Sequence, residues 1–508
     1  MNGYNTLFPG LKAPPERAKA DAGPEQVQAA ESSTRKVIRQ VFEDSNNYMK
    51  SGTLMLGVIE KLDEAINFHD FTTRQQLGDI YEQILNDLRS AGNAGEFYTP
   101  RTITKIMVEL VNPRLDRCET VMDPACGTGG ILTAAIDHLR SQSDGDASAD
   151  DEKAIERSVF GIERKQLPHL LCTTNLLLHG IDVPSQVDHR NTLATPWDGW
   201  SPDERVDCVI TNPPFGGLED EDVGKDYPSD LRTRETADMF LTLIVNKLLK
   251  DDGRAAIVLP DGFLFGEGVK ARIKKMLMEQ CDLHLIIRLP NGVFAPYTGI
   301  KTNLLFFTRG RPTETIWFYE HPYPTGQRSY SKTKAIRMEE FDAEKAWWGR
   351  EGNGFIERQK SDRAWKVDFK TKKQGAEAQA SAYWDEAQDL VGKIAVLEND
   401  VRDLSASIPG LTEPEQRKSA DEQIVVLRNE IEQLRRRARD AQVSGDHVYW
   451  AIYNLDMKNP NSPEEESHDP DVLFEKYRLL MAEVEETQGQ LKSELGSVLA
   501  YHLSRGEA

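Results

Sequence analysis

Between residues 95 and about 320 short apolar runs alternate with stretches of helical periodicity, the pattern of a parallel sheet buried between helices. The runs predict strands at Thr120–Asp123, Val159–Ile162, Val206–Thr211, Arg254–Leu259, Leu283–Leu289, Asn303–Thr308 and Ile316–Tyr319, with helices between them. Before residue 95 the pattern is helical: Val37, Ile38, Val41 and Phe42 recur at helical spacing, as do Leu77, Ile80, Tyr81, Ile84, Leu85 and Leu88. Beyond about residue 380 Leu390, Ile394, Leu397, Val401 and Leu404 step 4-3-4-3, and after the breaker IPGLTEP Ile424, Leu427, Ile431 and Leu434 step 3-4-3. Two antiparallel coiled-coil-like helices are expected there, followed by a third amphipathic helix from Asp471 to about Leu503. Their seams can close on one another or be offered to another subunit, and the pattern leaves both open. The expected division is a helical domain 1–94, an α/β domain 95–375 and a helical region 376–508.

Two segments interrupt this scheme. Asp144–Glu152 (DGDASADDE) is expected as an acidic, solvated loop after the first helix of the α/β region. Residues 360–373 carry Lys360, Arg363, Lys366, Lys370, Lys372 and Lys373 against Asp362 and Asp368, interleaved with Trp365 and Phe369. That is either a solvated linker or a patch that could meet a phosphate backbone or stack on a base.

Composition narrows the class. With 39% apolar and 29% charged residues in 508, the chain is globular rather than disordered or fibrous. No apolar stretch approaches the ~20 residues that cross a bilayer, and the opening has neither the basic nor the apolar part of a leader, so a cytoplasmic protein is expected. Five scattered cysteines without a CxxC spacing support neither a disulfide framework nor a zinc site. A net charge of −21 means that any role on nucleic acid rests on local basic patches or on a partner.

The candidate chemistry begins at the end of the first strand, where Asp123-Pro124-Ala125-Cys126-Gly127-Thr128-Gly129-Gly130 precedes a helix over Ile131–Arg140. Glycines there allow a tight turn and close approach to a ligand, and the helix start offers free N–H groups. Leu132 stands where a dinucleotide fingerprint needs its third glycine, which disfavours NAD. The second strand ends in Glu163, placed to accept hydrogen bonds from ribose hydroxyls.

The strand Val206–Thr211 runs into Asn212-Pro213-Pro214-Phe215 at a carboxyl end of the sheet. An exocyclic amine is a poor nucleophile because its lone pair is delocalised into the ring. Two acceptors on its hydrogens, the Asn212 side-chain oxygen and the Pro213 carbonyl, would draw that lone pair out; the prolines hold the carbonyl rigidly and Phe215 offers a stacking face.

The glycine run resembles motif I of S-adenosylmethionine-dependent amino-methyltransferases, which makes Glu163 their motif II and Asn212–Phe215 the catalytic tetrapeptide. Gly95-Glu96-Phe97-Tyr98-Thr99-Pro100-Arg101 resembles motif X of the adenine enzymes, whose Tyr-Thr-Pro lines the methionine end of the cofactor; its place before motif I is that of the γ class. The resemblance implies a cofactor site of Glu96, Phe97, Tyr98, Thr99, Pro100, Arg101, Asp123, Ala125, Gly127, Thr128, Gly129, Gly130 and Glu163, and no metal.

Nearly end to end, the chain is similar to the modification subunit of type I restriction-modification systems, through the lead-in Ser90–Arg101, Leu289-Pro290-Asn291-Gly292-Val293-Phe294 and Tyr453–Asn461. The resemblance implies an α/β, Rossmann-like methyltransferase sheet flanked by helical domains, and N6 methylation of a flipped adenine in double-stranded DNA. It implies as partners a specificity subunit that reads the sequence for two modification subunits, and a motor-nuclease restriction subunit. The C-terminal helices are then expected to make the subunit contact. The opening Asn5–Lys12 looks like a mid-domain stretch in relatives, so the first helices of the N-terminal domain are expected to be missing. A protein-glutamine methyltransferase, with Tyr usual at the fourth catalytic position, and a non-catalytic scaffold subunit are the competing readings.

Overall fold

The structure, a computed structural model, describes residues 49–65, 77, 80–81, 99–143, 147–181, 184, 186–295, 298–327, 329–331 and 333–461, with 477–478, 481, 487–488 and 491. Val37, Ile38, Val41, Phe42, Ile84, Leu85 and Leu88 lie outside the described residues, whereas Leu77, Ile80 and Tyr81 are helical. The elements in chain order are α1 (Gly52–Ala65), α2 (Arg101–Val111), β1 (Val121–Asp123), α3 (Gly130–Arg140), α4 (Ala149–Ser158), β2 (Val159–Glu163), α5 (Gln166–Leu178), β3 (Val187–His189), β4 (Val206–Thr211) and α6 (Thr236–Leu243). They continue with β5 (Leu249–Pro260), α7 (Asp261–Phe265), α8 (Val269–Gln280), β6 (Cys281–Arg288), β7 (Thr302–Arg309), β8 (Thr315–Glu320), α9 (Asp342–Trp347), β9 (Ala364–Asp368), α10 (Phe369–Ser407) and α11 (Pro414–Ala451).

Among the described residues one nine-stranded sheet runs in the order β3-β2-β1-β4-β5-β7-β6-β8-β9. The strands from β3 to β5 are parallel, and β7 is inserted antiparallel between β5 and β6. The near-continuous apolar runs follow from burial on both faces. Val209 and Ile257 turn to the face that holds Leu241 and Phe263, while Cys208, Ile210, Ala256 and Val258 turn to the face that packs under Ile103 and Met107 of α2. Because the connections leave β1 and β4 in opposite directions along the sheet, a crevice opens at their carboxyl ends, where open α/β sheets bind ligands.

All seven expected strands are present, and two more were not anticipated. β3 is three residues long with only Val187 buried, so it carries no alternation to detect. β9 lies inside the basic run: Trp365 and Phe369 are buried, so neither is available to stack on a base, and Lys370 and Lys373 pair with Glu314 and Glu279 at 2.6 and 3.1 Å. Residues 360–373 are therefore a sheet edge and a helix start rather than a linker, and their aromatic side chains are not available to stack on a base. The acidic segment is likewise corrected from Ser148 onward, residues 144–146 lying outside the described residues. Ser148 and Asp151 form a capping box, and Asp150, Asp151 and Glu152 occupy the first turn of α4, where acidic side chains favour a helix.

α10 and α11 form the expected antiparallel pair, with Leu390, Ile394, Ile431 and Ala438 buried between them and Leu397, Val401 and Leu434 alongside. Trp384 Nε1 donates to Asp446 at 3.0 Å near the base, and Arg435 pairs with Glu398 at 2.6 Å further out. After α11 the chain returns to the sheet. Tyr453 and Leu455 are buried in the main core, Leu455 N donates to Leu264 O at 2.9 Å, and Arg288 binds Asp456 at 2.6 Å. Contacts divide the chain into Met1–Met457 and Lys458–Ala508. In the second unit Tyr477, Arg478, Met481, Thr487, Gln488 and Leu491 are helical; the rest of the expected third helix lies outside the described residues.

Candidate active site

A cavity of about 530 Å³ opens at the switch point between β1 and β4. Thr99, Arg101, Asp123, Ala125, Gly127, Thr128, Gly130, Glu163, Asn212 and Pro214, all singled out in the sequence, line it. Pro100, Gly129, Pro213 and Phe215 sit beside it without lining it, and Glu96, Phe97 and Tyr98 lie outside the described residues.

The glycine loop is held from several sides. Cys126 N donates to Ile162 O and Gly129 N to Cys126 O, while Thr192 Oγ1 and Asn175 Nδ2 hold the carbonyls of Pro124 and Thr128 at 2.6 and 3.1 Å. Gly129 has φ +82°, and a Cβ there would meet Cys172 Sγ at 2.8 Å. The need for glycine is thus set by α5 behind the loop, and not, as the sequence suggested, by the path of a ligand. At Gly130 a Cβ would strike Arg101 Nη1 at 2.3 Å, so glycine lets that guanidinium lie across the start of α3.

Glu163 accepts from Gly127 N at 2.9 Å and Lys165 N at 2.6 Å. Burial raises its pKa above the ordinary carboxylate value, and these two N–H groups oppose the rise. Asp123 is buried and accepts from Thr211 Oγ1 at 2.7 Å and Ala125 N at 3.0 Å. Burial pushes it up to about 7, with the nearby Glu163 adding to the shift.

Opposite the loop stands the Asn-Pro-Pro-Phe turn. Asn212 Nδ2 donates to Thr99 Oγ1 at 2.9 Å, while its Oδ1 is buried without a hydrogen-bond partner. Pro213 is buried, and Phe215 is half-buried against both core clusters. Thr236 Oγ1 donates to Pro214 O at 2.5 Å, tying the turn to the start of α6. Beyond it Glu219 pairs with Arg164 at 2.9 Å and Asn191 Nδ2 lies 3.4 Å from its other oxygen, which closes the Glu163 side of the cavity. Sequence reasoning missed Thr236, Asn175, Thr192 and Glu219, whose roles come from long-range contacts. Thr211 did carry a signal: a polar residue ending a buried strand directly before Asn212.

Orphaned acceptor and glycine cradle share one cavity, as a donor of a transferable group and an amine acceptor require. A sheet of this order with β7 reversed defines the class as a Rossmann-like S-adenosylmethionine-dependent methyltransferase. The family model described as N-6 DNA Methylase matches residues 72–387, and the chain belongs to that family. Within it, the chain is 47% identical to the type I restriction enzyme EcoEI methylase subunit of Escherichia coli, over 91% of this chain and 78% of that one. A solved modification subunit assigned to a type I restriction enzyme of Vibrio vulnificus YJ016 superposes with a TM-score of 0.59 at 43% identity, covering 66% of this chain and 68% of that one. A chain from a structural study of complex assembly in a type I R-M system superposes with a TM-score of 0.61 at 29% identity, covering 94% and 86%. Membership in a DNA methylase family sets aside the protein-glutamine reading, in line with Phe215 at the fourth catalytic position.

Proposed function

We propose that this chain is the modification subunit of a type I restriction-modification system and methylates N6 of a flipped adenine in DNA. The observation that carries the reading is Asn212, which lines the same cavity as the glycine loop and whose side-chain oxygen is buried and unpartnered. A buried acceptor without a donor is costly, and a substrate N–H removes the cost. The amine of adenine supplies it.

S-adenosylmethionine, when bound, supplies an electrophilic methyl on a sulfonium. Glu163 is suited to accept from its ribose hydroxyls, the Gly127–Gly130 loop to admit it closely, and Asp123, Thr99 and Arg101 to meet its charged end. Asn212 Oδ1 and the Pro213 carbonyl take the two amine hydrogens, which returns electron density to nitrogen along the line of attack. Neither acceptor is basic enough to keep a proton, so the one that nitrogen loses passes to water. Phe215, beside the cavity, offers its ring as a stacking face to the flipped base, and its packing against the core holds that ring in place.

The specificity subunit supplies the base contacts that an acidic chain lacks, two modification subunits sit on one such reader, and a motor-nuclease subunit joins for restriction. Residues 95–375 serve catalysis, with Tyr453 and Leu455 completing their core, and the rest of 376–508 serves the subunit contact. We place the complex in the cytoplasm with its DNA; among the described residues no helix is long and apolar enough to cross a membrane. The test is to incubate the complex with duplex DNA and labelled cofactor, digest the product and identify the labelled nucleoside. N6-methyladenine is expected; label on cytosine or on protein glutamine would contradict the reading.

A further inference from the structure

The amide of Asn212 has a donor end and an acceptor end of nearly the same shape, and only one orientation suits the chemistry. With Oδ1 toward the cavity it accepts from the target amine. Turned over, it would set its own N–H groups against the N–H groups of the substrate, donor against donor. The side chain is fixed at its Nδ2 end, by the hydrogen bond of 2.9 Å to Thr99 Oγ1.

Resting on the methyltransferase reading of Asn212, we propose that Thr99 is a positioning residue whose hydroxyl selects the catalytic orientation of that amide. Three features place it there. Thr99 precedes Pro100, which restricts its backbone to extended conformations and starts α2. The first turn of α2 is itself pinned, because Thr102 Oγ1 donates to Ile336 O at 2.9 Å. The two partners are 113 residues apart, so this bond also joins the start of α2 to the end of β4 across the cavity that both line.

A hydroxyl can donate or accept, so Thr99 selects one orientation only when its own hydrogen is given away: with that hydrogen donated to the charged end of the bound cofactor, its oxygen is left to accept the amide N–H of Asn212, and Oδ1 is left to the substrate. Pro214 is held independently at the other end of the turn by Thr236. Loss of the Thr99 hydroxyl should therefore leave the turn in place and free only the amide to rotate. Valine keeps the shape of threonine and loses the acceptor; serine keeps the acceptor and loses a methyl group.

The test uses the chain in complex with its specificity subunit, and compares cofactor affinity by calorimetry with single-turnover methylation of duplex DNA at saturating cofactor. Thr99→Val should lower the single-turnover rate about tenfold at saturating cofactor, a loss that added cofactor does not repair whatever the change in its dissociation constant, and Thr99→Ser should restore most of the rate. In an Asn212→Ala background the valine substitution should cost nothing further, since the group it positions is gone. A full rate in Thr99→Val, or weakened cofactor binding with an unchanged saturated rate, overturns the proposal and makes Thr99 a cofactor-binding group alone. Because Asn212→Ala is measured alongside, a failure of the parent reading is seen separately, as a full rate in that variant.

Discussion

At Asp123 a buried carboxyl couples the cofactor site to pH. Its pKa in the folded chain is about 7 against 3.8 for the free group, with burial the cause. Between those values the folded chain keeps a proton that the unfolded chain has lost, so stability falls as pH rises through that window and levels off above it. A cationic ligand in the cavity favours the ionised form, so cofactor affinity should rise from pH 6 to pH 8, by at most about tenfold per pH unit, with proton release on binding. Calorimetry in buffers of different ionisation enthalpy reads that proton, and Asp123→Asn should abolish both effects. Gly129→Val should also weaken cofactor binding, through strain at φ +82° and displacement of Cys172 rather than by blocking the ligand; Cys172→Ala should recover part of the loss. At this scale the sequence was legible, and most of the groups it singled out line the cavity, because loop and turn are contiguous strings. It hid Thr236, Asn175 and Glu219, which act only once distant segments meet.

Elements were legible where burial on both faces imposed a long apolar run, as in β4, β5, β6 and β7. They were illegible where length or charge masked them: β3 is three residues, β9 lies among lysines, and the acid-rich start of α4 resembles a loop until Ser148 and Asp151 are read as a capping box. The two outlying family strings hold the scaffold. Leu289, Val293 and Phe294 are buried in one cluster, and Tyr453 and Leu455 in the other. Tyr453→Ala should therefore destabilise the catalytic unit by about 3–5 kcal/mol, visible as a lower denaturant midpoint, although Tyr453 lies after the helical pair. Cutting the chain at residue 383 removes this segment and should unfold the sheet's edge. Excising only residues 391–434 from the outer part of α10 and α11 should leave the catalytic unit folded and prevent assembly with the specificity subunit, a result that size-exclusion chromatography of the mixed proteins will read.

For the molecule as a whole, a charge of −21 sets the terms: the chain has catalytic groups for an adenine but a surface unsuited to holding DNA alone. The isolated chain should bind S-adenosylmethionine and methylate DNA negligibly, and the specificity subunit should restore site-specific transfer. The central claim is that Asn212 accepts the amine hydrogens in a cavity that it shares with the cofactor. Its most direct test is single-turnover methyl transfer by the assembled complex, wild type against Asn212→Ala, with cofactor affinity measured on the same preparations. The account expects unchanged affinity and a rate lower by about 10²-fold or more, as for loss of a preorganised hydrogen-bond partner in a closed site. An Asn212→Ala complex that methylates adenine at the wild-type rate would contradict it.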